Sequence, residues 1–335
     1  MRWNSFAFAT VAALALVWDA GAQTPSSYHV TSKIPLSDGG WDYASVDNAG
    51  RLYLPRPDRI TAIDLAANSV TDKLATVSGG HGAIAVKGGT EILAANGTSG
   101  EVTFIDAKTG AILATLKAGT GPDAVIGDSA AGLGLVMNHR GGTVTVIDIA
   151  KHAVVGEIEV GGALEFAAVD SAGRLFVNVE DKNEIAAIDL KTNKVISRIK
   201  LEGCDSPAGL AYLDVSKKLL SSCANGVAAI VDPAKLKLES LVPIGTGPDA
   251  VFYDHMRKKA FIPCGRSGDL AVFSDTAKGV VGLGKVPTQI GARTGAVDEK
   301  TGRVYLPAAE YAPPAAAGGR PQMKPGSVVV VVLEP

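Results

Sequence analysis

Cysteine, aromatic residues and an excess of charge of either sign are all scarce in this sequence. Aromatic residues make up 5% of its 335 residues, and 32 Lys and Arg residues nearly balance 34 Asp and Glu residues. Single-stranded nucleic acid binding needs a basic groove interleaved with aromatic side chains, and attraction to an anionic membrane needs net positive charge. The composition therefore favours neither nucleic acid nor a membrane surface as a partner.

Recognised catalytic motifs are missing as well. The sequence has no G-x-S-x-G elbow, no H-E-x-x-H, no phosphate-binding P-loop and no C-x-x-C-H haem attachment. The enzyme classes that depend on those motifs are therefore excluded.

Long hydrophobic runs are absent except at the N-terminus. Residues 1–22 begin with a short segment containing Arg2, continue through an apolar run and end in Ala20-Gly21-Ala22, a signal-peptidase cleavage pattern. The run is shorter than the roughly 20 residues that a spanning helix needs, and the apolar segment 328–333 has the length of a strand. We expect a signal peptide over 1–22, a periplasmic or secreted mature chain, and no membrane span after cleavage.

What the sequence does contain is a repeat. An apolar residue followed by Asp recurs with successive spacings of 42, 42, 41 and 43 residues, at Asp64, Asp106, Asp148, Asp189 and Asp232. A period of this length, filled with short alternating strands and Gly-rich turns, is typical of a β-propeller with one four-stranded blade per repeat. Each of these Asp residues precedes a turn, where its carboxylate can accept backbone amides.

The repeats predict an all-β fold with a single domain over 23–335. Six segments each supply four strands, and the seventh blade is split: 295–298, 303–307 and 327–333 give three strands, and 29–36 can supply the fourth. This closure would pair the first strand with the last, so that no blade edge stays open. Segment 308–326 is expected to be an inserted loop of the last blade, either a lid or partner contact or a flexible segment.

The chain resembles the YVTN-repeat family of seven-bladed propellers, which includes YncE-like periplasmic proteins. The resemblance rests on the segments 175–178 and 184–196 and on the inter-blade turns 119–123 and 245–249, which read Gly-Thr-Gly-Pro-Asp in both cases. It extends over essentially the whole mature chain. Members of this family differ in function, so the resemblance implies the fold and an exported location without implying a ligand.

The three cysteines suit an oxidising compartment if two of them pair. Cys204 opens the first strand of a blade and Cys223 ends the neighbouring antiparallel strand, so both are expected at one end of a hairpin. We predict a Cys204–Cys223 disulfide, with Cys264 as the rival partner. No pair of cysteines has the C-x-x-C spacing of a zinc site.

The candidate site follows from propeller topology. The connections that enter each inner strand meet around the central channel, together with the loops between second and third strands. Counting back five residues from the end of each inner strand gives Asp42, Asp123, Glu165, Asp249 and Arg293, while His81 and Asp205 lie near the entrances of the other two blades. The neighbouring loops add Arg56, Asn138, His139, Arg140 and Arg266 as candidate ligand-binding residues.

Two interpretations of these carboxylates stay open at this point. Oxygen ligands converging on one axis suit Ca²⁺ or Mg²⁺, which makes Asp42, Asp123, Glu165 and Asp249 candidate metal ligands. Alternatively, the Asp of each Gly-Pro-Asp-Ala segment serves only to accept turn amides.

Three functions are therefore compared. The leading hypothesis is a monomeric, non-catalytic binding or scaffolding propeller that recognises a small polar ligand, a peptide or an envelope protein partner at the channel face. The alternative is a divalent-metal-dependent, lactonase-like hydrolase or lyase that uses the channel-mouth carboxylates. Single-stranded DNA binding, which the family resemblance raises, ranks last because of the balanced charge and few aromatics.

Overall fold

The ends of the chain meet in one blade of a ring. The computed structural model describes residues 26–313 and 321–335, and within them seven four-stranded antiparallel sheets form a β-propeller. The first strand, β1 (His29–Pro35), pairs with the last rather than with the strand that follows it. The predicted signal peptide over 1–22 lies outside the described residues, among which no helix is long and apolar enough to cross a membrane.

Blades 1 to 6 are continuous in sequence. Blade 1 comprises β2 (Ser45–Val46), β3 (Arg51–Pro55), β4 (Arg59–Asp64) and β5 (Ser69–Thr76). Blade 2 comprises β6 (Gly80–Val86), β7 (Glu91–Asn96), β8 (Glu101–Asp106) and β9 (Ile112–Lys117). Blade 3 comprises β10 (Pro122–Asp128), β11 (Leu133–Asn138), β12 (Thr143–Asp148) and β13 (Ala153–Glu159). Blade 4 comprises β14 (Leu164–Val169), β15 (Arg174–Val179), β16 (Glu184–Asp189) and β17 (Lys194–Lys200).

Blade 5 comprises β18 (Pro207–Leu213), β19 (Lys218–Cys223), β20 (Val227–Asp232) and β21 (Lys237–Pro243). Blade 6 comprises β22 (Phe252–Asp254), β23 (Lys259–Cys264), β24 (Asp269–Thr276) and β25 (Gly279–Pro287). Blade 7 contains β26 (Ala296–Asp298), β27 (Arg303–Ala308) and β30 (Val329–Glu334), with β1 as its outer strand. The predicted ring closure is therefore confirmed, since β1 runs antiparallel to β30 from His29 opposite Glu334 to Pro35 opposite Val329.

Burial explains the sequence pattern of the blades. Second and third strands such as β7 and β8 are buried on both faces, because each sheet packs between two neighbouring sheets, and they read as nearly continuous apolar runs. Fourth strands such as β9 lie on the outside and are mostly exposed. Apolar clusters between successive sheets form the core, and the inner strands leave a central channel.

The repeated Asp residues close the turns between third and fourth strands, as the sequence predicts. The carboxylate of Asp64 accepts the backbone N–H groups of Ala66 and Ala67, and Asp232 accepts those of Ala234 and Lys235. Asp106, Asp148 and Asp189 make equivalent bonds to backbone amides two or three residues further on. These carboxylates belong to the end of the ring opposite the candidate site.

The Cys204–Cys223 disulfide is confirmed, with a Cα–Cα distance of 5.3 Å. It crosses from the segment before β18 to the end of β19, and a loop of this size stabilises the fold by roughly 3 kcal/mol through restriction of the unfolded chain. Cys264 is a buried free thiol.

The insertion in blade 7 contains a small hairpin of its own. Strands β28 (Tyr311–Ala312) and β29 (Gln322–Met323) pair antiparallel, and the Lys324 ammonium lies 3.0 Å from the Glu310 carboxylate. Residues 314–320 of the predicted loop 308–326 lie outside the described residues. Its role as a lid or partner contact stays a prediction.

Candidate functional site

One position in each blade faces the mouth of the central channel. The equivalent residues are Asp42, His81, Asp123, Glu165, Ala208, Asp249 and Arg293, which we call the ring positions. In blades 2 to 5 the ring position lies within a shift of register between first and second strands, for example between Pro122 and Val125 in blade 3. A β-bulge changes the direction of one side chain, so that it departs from the regular alternation between the two faces of the sheet. The ring residues of blades 1, 6 and 7 precede their inner strands.

The ring positions line a cavity of about 350 Å³ at the channel mouth. Its lining residues are Asp42, Tyr43, His81, Gly97, Thr98, Gly121, Asp123, His139, Arg140, Glu165, Asp249 and Arg293. The structure thus brings together six residues predicted at the entrances of the inner strands and two predicted on the adjacent loops. A volume near the lower end of the range for ligand pockets suits a small molecule.

Tyr43 forms the floor of this cavity. Its side chain starts in blade 1, is 6% exposed and reaches across the axis, where its hydroxyl donates a hydrogen bond to Glu165 Oε2 of blade 4 at 2.8 Å. Its ring contacts that of Phe166 with centroids 5.0 Å apart. At the position equivalent to Tyr43, blade 2 has Gly82, where a Cβ would lie 2.7 Å from the Asp123 carbonyl oxygen. The Tyr43 ring belongs to an apolar cluster that includes Ala124 and Ala250 of the other blades.

His81 joins two carboxylates on one side of the cavity. Its Nδ1 lies 2.7 Å from Asp42 Oδ2 and 3.1 Å from Asp123 Oδ1. The imidazole packs against Gly97, where an added Cβ would come within 2.6 Å of His81 Cδ2. The absence of a side chain at Gly97 therefore leaves room for the imidazole, whose Nδ1 faces the two carboxylates.

His139 makes a second contact of the same kind. Its Nδ1 lies 3.1 Å from Glu165 Oε1 and 3.1 Å from the Leu164 carbonyl oxygen. His139 directly follows β11, whose last residue, Asn138, pairs with Pro122. The strand pairing therefore places His139 beside Gly121, whose carbonyl oxygen accepts the backbone N–H of His139. Ligand atoms of Asp123, His139 and Glu165 all lie within 4.8 Å of one another, as do those of Asp42, His81 and Asp123.

Asp249 and Arg293 form the other side of the cavity. Arg293 Nε lies 3.4 Å from Asp249 Oδ2, and the Arg293 side chain is half exposed. The position between Glu165 and Asp249 is Ala208, which has no ionisable group. Asp249, one of the four candidate metal ligands in the sequence, belongs to neither of the two histidine-containing groups.

Four ionisable groups of the site have raised pKa values. Burial, followed by repulsion from Asp42 and Glu165, raises the pKa of Asp123 well above its usual value. Burial also raises the pKa of Asp249 to about 7, although Arg293 acts in the opposite direction. The hydrogen bond to Asp42 raises the pKa of His81, and the bond to Glu165 raises the pKa of His139 to about 9. Groups that titrate near or above neutrality in a cavity are candidates for binding and catalysis.

The ring carboxylates do not act as turn caps. Among residues 26–313 and 321–335, no backbone N–H donates to the side chains of Asp42, Asp123, Glu165 or Asp249, which contact other side chains of the cavity. Within the described residues Asp123 and Asp249 therefore cap no turn, and the interpretation of their carboxylates as turn caps is wrong.

Four predicted site residues lie outside the cavity lining. Asp205 is exposed, and blade 5 has Ala208 at its ring position instead. Arg56 is 0% exposed, and its guanidinium donates to the carbonyl oxygens of Ser37, Gly39 and Gly40. Asn138 is also buried. Its side-chain nitrogen donates hydrogen bonds to the hydroxyls of Thr143 and Thr145, and its side-chain oxygen accepts one from the backbone N–H of Gly119. Arg266 is exposed beside the 245–247 turn. The expectation that these loop residues face the ligand is thus corrected for Arg56 and Asn138, because their polar atoms hold neighbouring loops.

Sequence reasoning missed the floor of the cavity. Tyr43 follows a ring residue, where blades 2, 3, 5 and 6 have Gly82, Ala124, Gly209 and Ala250. Blade 4 has Phe166 and blade 7 has Thr294 at this position. An aromatic residue where four other blades have Gly or Ala is the signal that could have identified it.

Comparisons with known proteins show the fold and no more. No protein-family model matches the chain, and no curated protein matches it. Two lyase structures align over 92% of this chain with TM-scores of 0.70: a streptogramin B lyase, with 13% identity over 97% of that chain, and virginiamycin B lyase from Staphylococcus aureus, with 15% identity over 99%. A chain of a mitotic checkpoint complex aligns over the whole length with a TM-score of 0.71 and 12% identity, covering 99% of that chain. At these identities the likeness establishes the propeller architecture alone.

Proposed function

We propose that this protein is an exported binding propeller that captures a small polar ligand in the cavity above Tyr43. One observation carries the proposal: four carboxylates are gathered at the channel mouth and none accepts a backbone amide in the described residues. Burying a carboxylate is costly unless it is paired. These groups close no turn, and each is paired with a histidine, tyrosine or arginine side chain that also lines the cavity. The paired groups therefore offer charged and polar contacts to a ligand.

The distribution of charge indicates the chemistry of the ligand. Asp249 and Arg293 face the cavity on the side where Ala208 interrupts the ring of ionisable groups, and Arg140 lines the rim with one guanidinium nitrogen bonded to the Gly97 carbonyl oxygen. An ammonium or hydroxyl group suits Asp249, and a carboxylate or phosphate suits the guanidinium groups. The ligand class is therefore a small molecule that carries both an anionic group and a hydrogen-bond donor.

Thermal unfolding of the metal-free mature chain tests this proposal. A panel of amino acids, hydroxy acids and sugar phosphates would be added, and a ligand at one hundred times its Kd stabilises by about 2.7 kcal/mol. We expect one or more of these compounds to raise the unfolding midpoint in a saturable way. Asp249→Asn and Arg293→Gln should each raise the Kd for that compound at least tenfold. Asp205→Asn is the matched control, because Asp205 is exposed and its side chain makes no hydrogen bond or ion pair within the described segments. Equal shifts in all three variants would contradict binding at this cavity.

A divalent-metal-dependent hydrolase or lyase is the second candidate. The specific observation that favours it is that each histidine of the cavity contacts a carboxylate at about 3 Å. On the other side of the cavity, the pKa of about 7 of Asp249 suits a general acid or base at neutral pH. The two lyases with the same fold are consistent with such a role. The test is hydrolysis or elimination on a panel of lactones and esters: turnover that needs a cation and is lost in Asp249→Asn would replace the binding proposal.

Family membership and export belong to the same proposal. The repeat segments support membership of the YVTN-repeat family, and the Cys204–Cys223 disulfide is compatible with a periplasmic or extracellular location. Expression of the full chain in a bacterium followed by mass spectrometry of the periplasmic fraction tests export. A mature N-terminus at Gln23 is expected, and an intact N-terminus in the cytoplasmic fraction would contradict it.

A further inference from the structure

The two histidine-containing groups of the cavity share one residue. His81 contacts Asp42 and Asp123, and His139 lies with Glu165 and the same Asp123. A carboxylate has two oxygens and can therefore bind two cations at once. We propose that the cavity binds a pair of divalent transition-metal ions, one held by Asp42 and His81, the other by His139 and Glu165, with Asp123 bridging them.

The present spacing of the ligand atoms is close to what each ion needs. Metal–ligand bonds of about 2.0–2.2 Å place adjacent ligands of one ion roughly 3 Å apart. His81 Nδ1 is already 2.7 and 3.1 Å from its two carboxylate partners, and His139 Nδ1 is 3.1 Å from Glu165. In the metal-free protein a proton on each Nδ1 occupies the space between these atoms. At the His81 position a cation would replace that proton with little movement of the side chains. At the His139 position Asp123 has to move closer, because its carboxylate lies within 4.8 Å of His139 without forming an ion pair with it.

The ligands are oriented by partners outside the two groups. The Tyr43 hydroxyl donates to Glu165 Oε2, which leaves Oε1 facing His139, and the His81 imidazole packs against Gly97. Such supporting contacts fix the direction of metal ligands and are needed for high affinity. Tyr43 also closes the cavity below, so that water reaches the ions from one side.

The charge of the cavity favours bound cations. Asp42, Asp123 and Glu165 bring three negative charges to the ligand sets, and Asp249 lines the same cavity with a fourth. Arg140 and Arg293 line the same cavity and offset part of this charge, and divalent cations bound by neutral imidazoles compensate the rest. Like charges at this density otherwise repel one another in a partly buried site.

The donor atoms select the kind of ion. Imidazole nitrogen suits Zn²⁺ and other first-row transition metals, whereas Ca²⁺ and Mg²⁺ prefer oxygen ligands only. One imidazole with carboxylates at each position therefore favours Zn²⁺ or Mn²⁺ over the Ca²⁺ or Mg²⁺ expected from sequence. This inference rests on the proposed cavity, and it is independent of which organic ligand binds there.

Metal analysis of the full mature chain tests the proposal. After treatment with a chelator, the protein would be titrated with Zn²⁺, and bound metal would be counted by calorimetry and by elemental analysis after gel filtration. We expect two Zn²⁺ per chain and no competition from equal concentrations of Ca²⁺. Zero or one ion per chain would overturn the proposal, while ligand shifts in the metal-free protein would still support the binding function.

Single substitutions assign the two positions. His81→Gln and His139→Gln should each leave one ion per chain, and Asp123→Asn should weaken both ions at least tenfold, because it removes the shared ligand. His255→Gln is the matched control: this half-exposed histidine contacts Asp214 at the opposite end of the ring and should leave two ions. Two ions retained in His81→Gln or in His139→Gln would also overturn the assignment.

A spectroscopic measurement on wild-type protein makes the test independent of the variants. Mn²⁺-loaded protein should give the spin-coupled electron paramagnetic resonance spectrum of two ions joined through a carboxylate. A spectrum of isolated Mn²⁺ ions at full loading would contradict the bridge.

Discussion

The two ends of the blades use carboxylates in opposite ways. At one end, Asp64, Asp106, Asp148, Asp189 and Asp232 each accept backbone amides of the turn that follows. At the other end, the four ring carboxylates contact histidine, tyrosine or arginine side chains and no backbone amide in the described residues. The same chemical group therefore closes turns at one end and lines a cavity at the other.

The two ends also differ in how much the residue at the equivalent position varies from blade to blade. The turn position is Asp in five blades, because every turn presents the same pair of amides to be satisfied. The ring position is occupied by Asp, His, Glu, Ala or Arg, since the blades surround one asymmetric cavity and each contributes a different group. Within a propeller, repetition indicates a structural role, and variation at the channel mouth indicates a site.

The largest loss of stability should come from substitution of Arg56. This residue belongs to the same end of the ring as the cavity, but like the turn carboxylates it bonds backbone groups of a nearby loop. Arg56→Gln would remove a fully buried guanidinium and leave the carbonyl oxygens of Ser37, Gly39 and Gly40, which lie in a partly exposed loop, without their donor. We expect a loss of about 3 kcal/mol or more in the free energy of unfolding. Urea denaturation measures it.

The same Arg56 variant should bind two Zn²⁺ at low temperature with unchanged affinity, because the arginine does not line the cavity. Weakened metal binding with unchanged stability would reverse the assignment and return Arg56 to the site.

The next effect concerns Asp232, the most buried of the turn carboxylates at 5% exposure. Besides the two turn amides, it binds Lys218 at 2.8 Å. Asp232→Ala should cost about 2 to 3 kcal/mol, against about 1 kcal/mol for Asp64→Ala, which removes a similar cap at an exposed position. Thermal unfolding of both variants checks the order, and Asp205→Asn, expected to change stability by less than about 0.5 kcal/mol, is the control. Equal losses in all three would remove the distinction between caps and other surface carboxylates.

The sequence predicts the fold better than it predicts the site, for a physical reason. Strand order, ring closure and the Cys204–Cys223 pair follow from periodicity, since a repeat fixes where every strand begins. The ring positions follow too, because they lie at a constant distance from the end of each inner strand. Contacts across the axis, such as that of Tyr43 with Glu165, join blades distant in sequence and depend on side-chain packing. The burial of Arg56 likewise depends on how residues 37–40 fold over it.

Asp249 provides a test in which the two ends of the ring should differ in the sign of the stability change. Removal of a turn carboxylate should destabilise the fold, whereas removal of the Asp249 carboxylate should stabilise it at high pH. Its folded-state pKa of about 7 lies above the usual value near 4, so the folded protein binds more protons between these limits and loses stability as the pH rises from about 4 to 7. Asp249→Asn removes that loss. The variant should be more stable than wild type by about 1 to 2 kcal/mol above pH 7, a value reduced because the side chain is 25% exposed and Arg293 loses its partner.

Denaturant unfolding of metal-free Asp249→Asn and wild type at pH 4, 6 and 8 measures this difference. The gap should be close to zero at pH 4 and widest at pH 8. A destabilised variant at pH 8 would mean that Asp249 supports the fold as the turn carboxylates do.

The smallest effect should come from His139. Its folded-state pKa of about 9 lies above the ordinary value near 6.5, so its contribution to stability is complete below about pH 6.5 and disappears as the pH rises through 9. His139→Gln should therefore lower the stability of the metal-free protein below pH 6.5 by about 1 kcal/mol or less, since the side chain is one-third exposed, and should match wild type near pH 10. Thermal unfolding across this range, with His255→Gln as control, measures the window. Because the predicted pairing with Glu165 is the same contact that a cation would replace, saturating Zn²⁺ should abolish this pH dependence in wild type, and a dependence unchanged by Zn²⁺ would place the ion elsewhere.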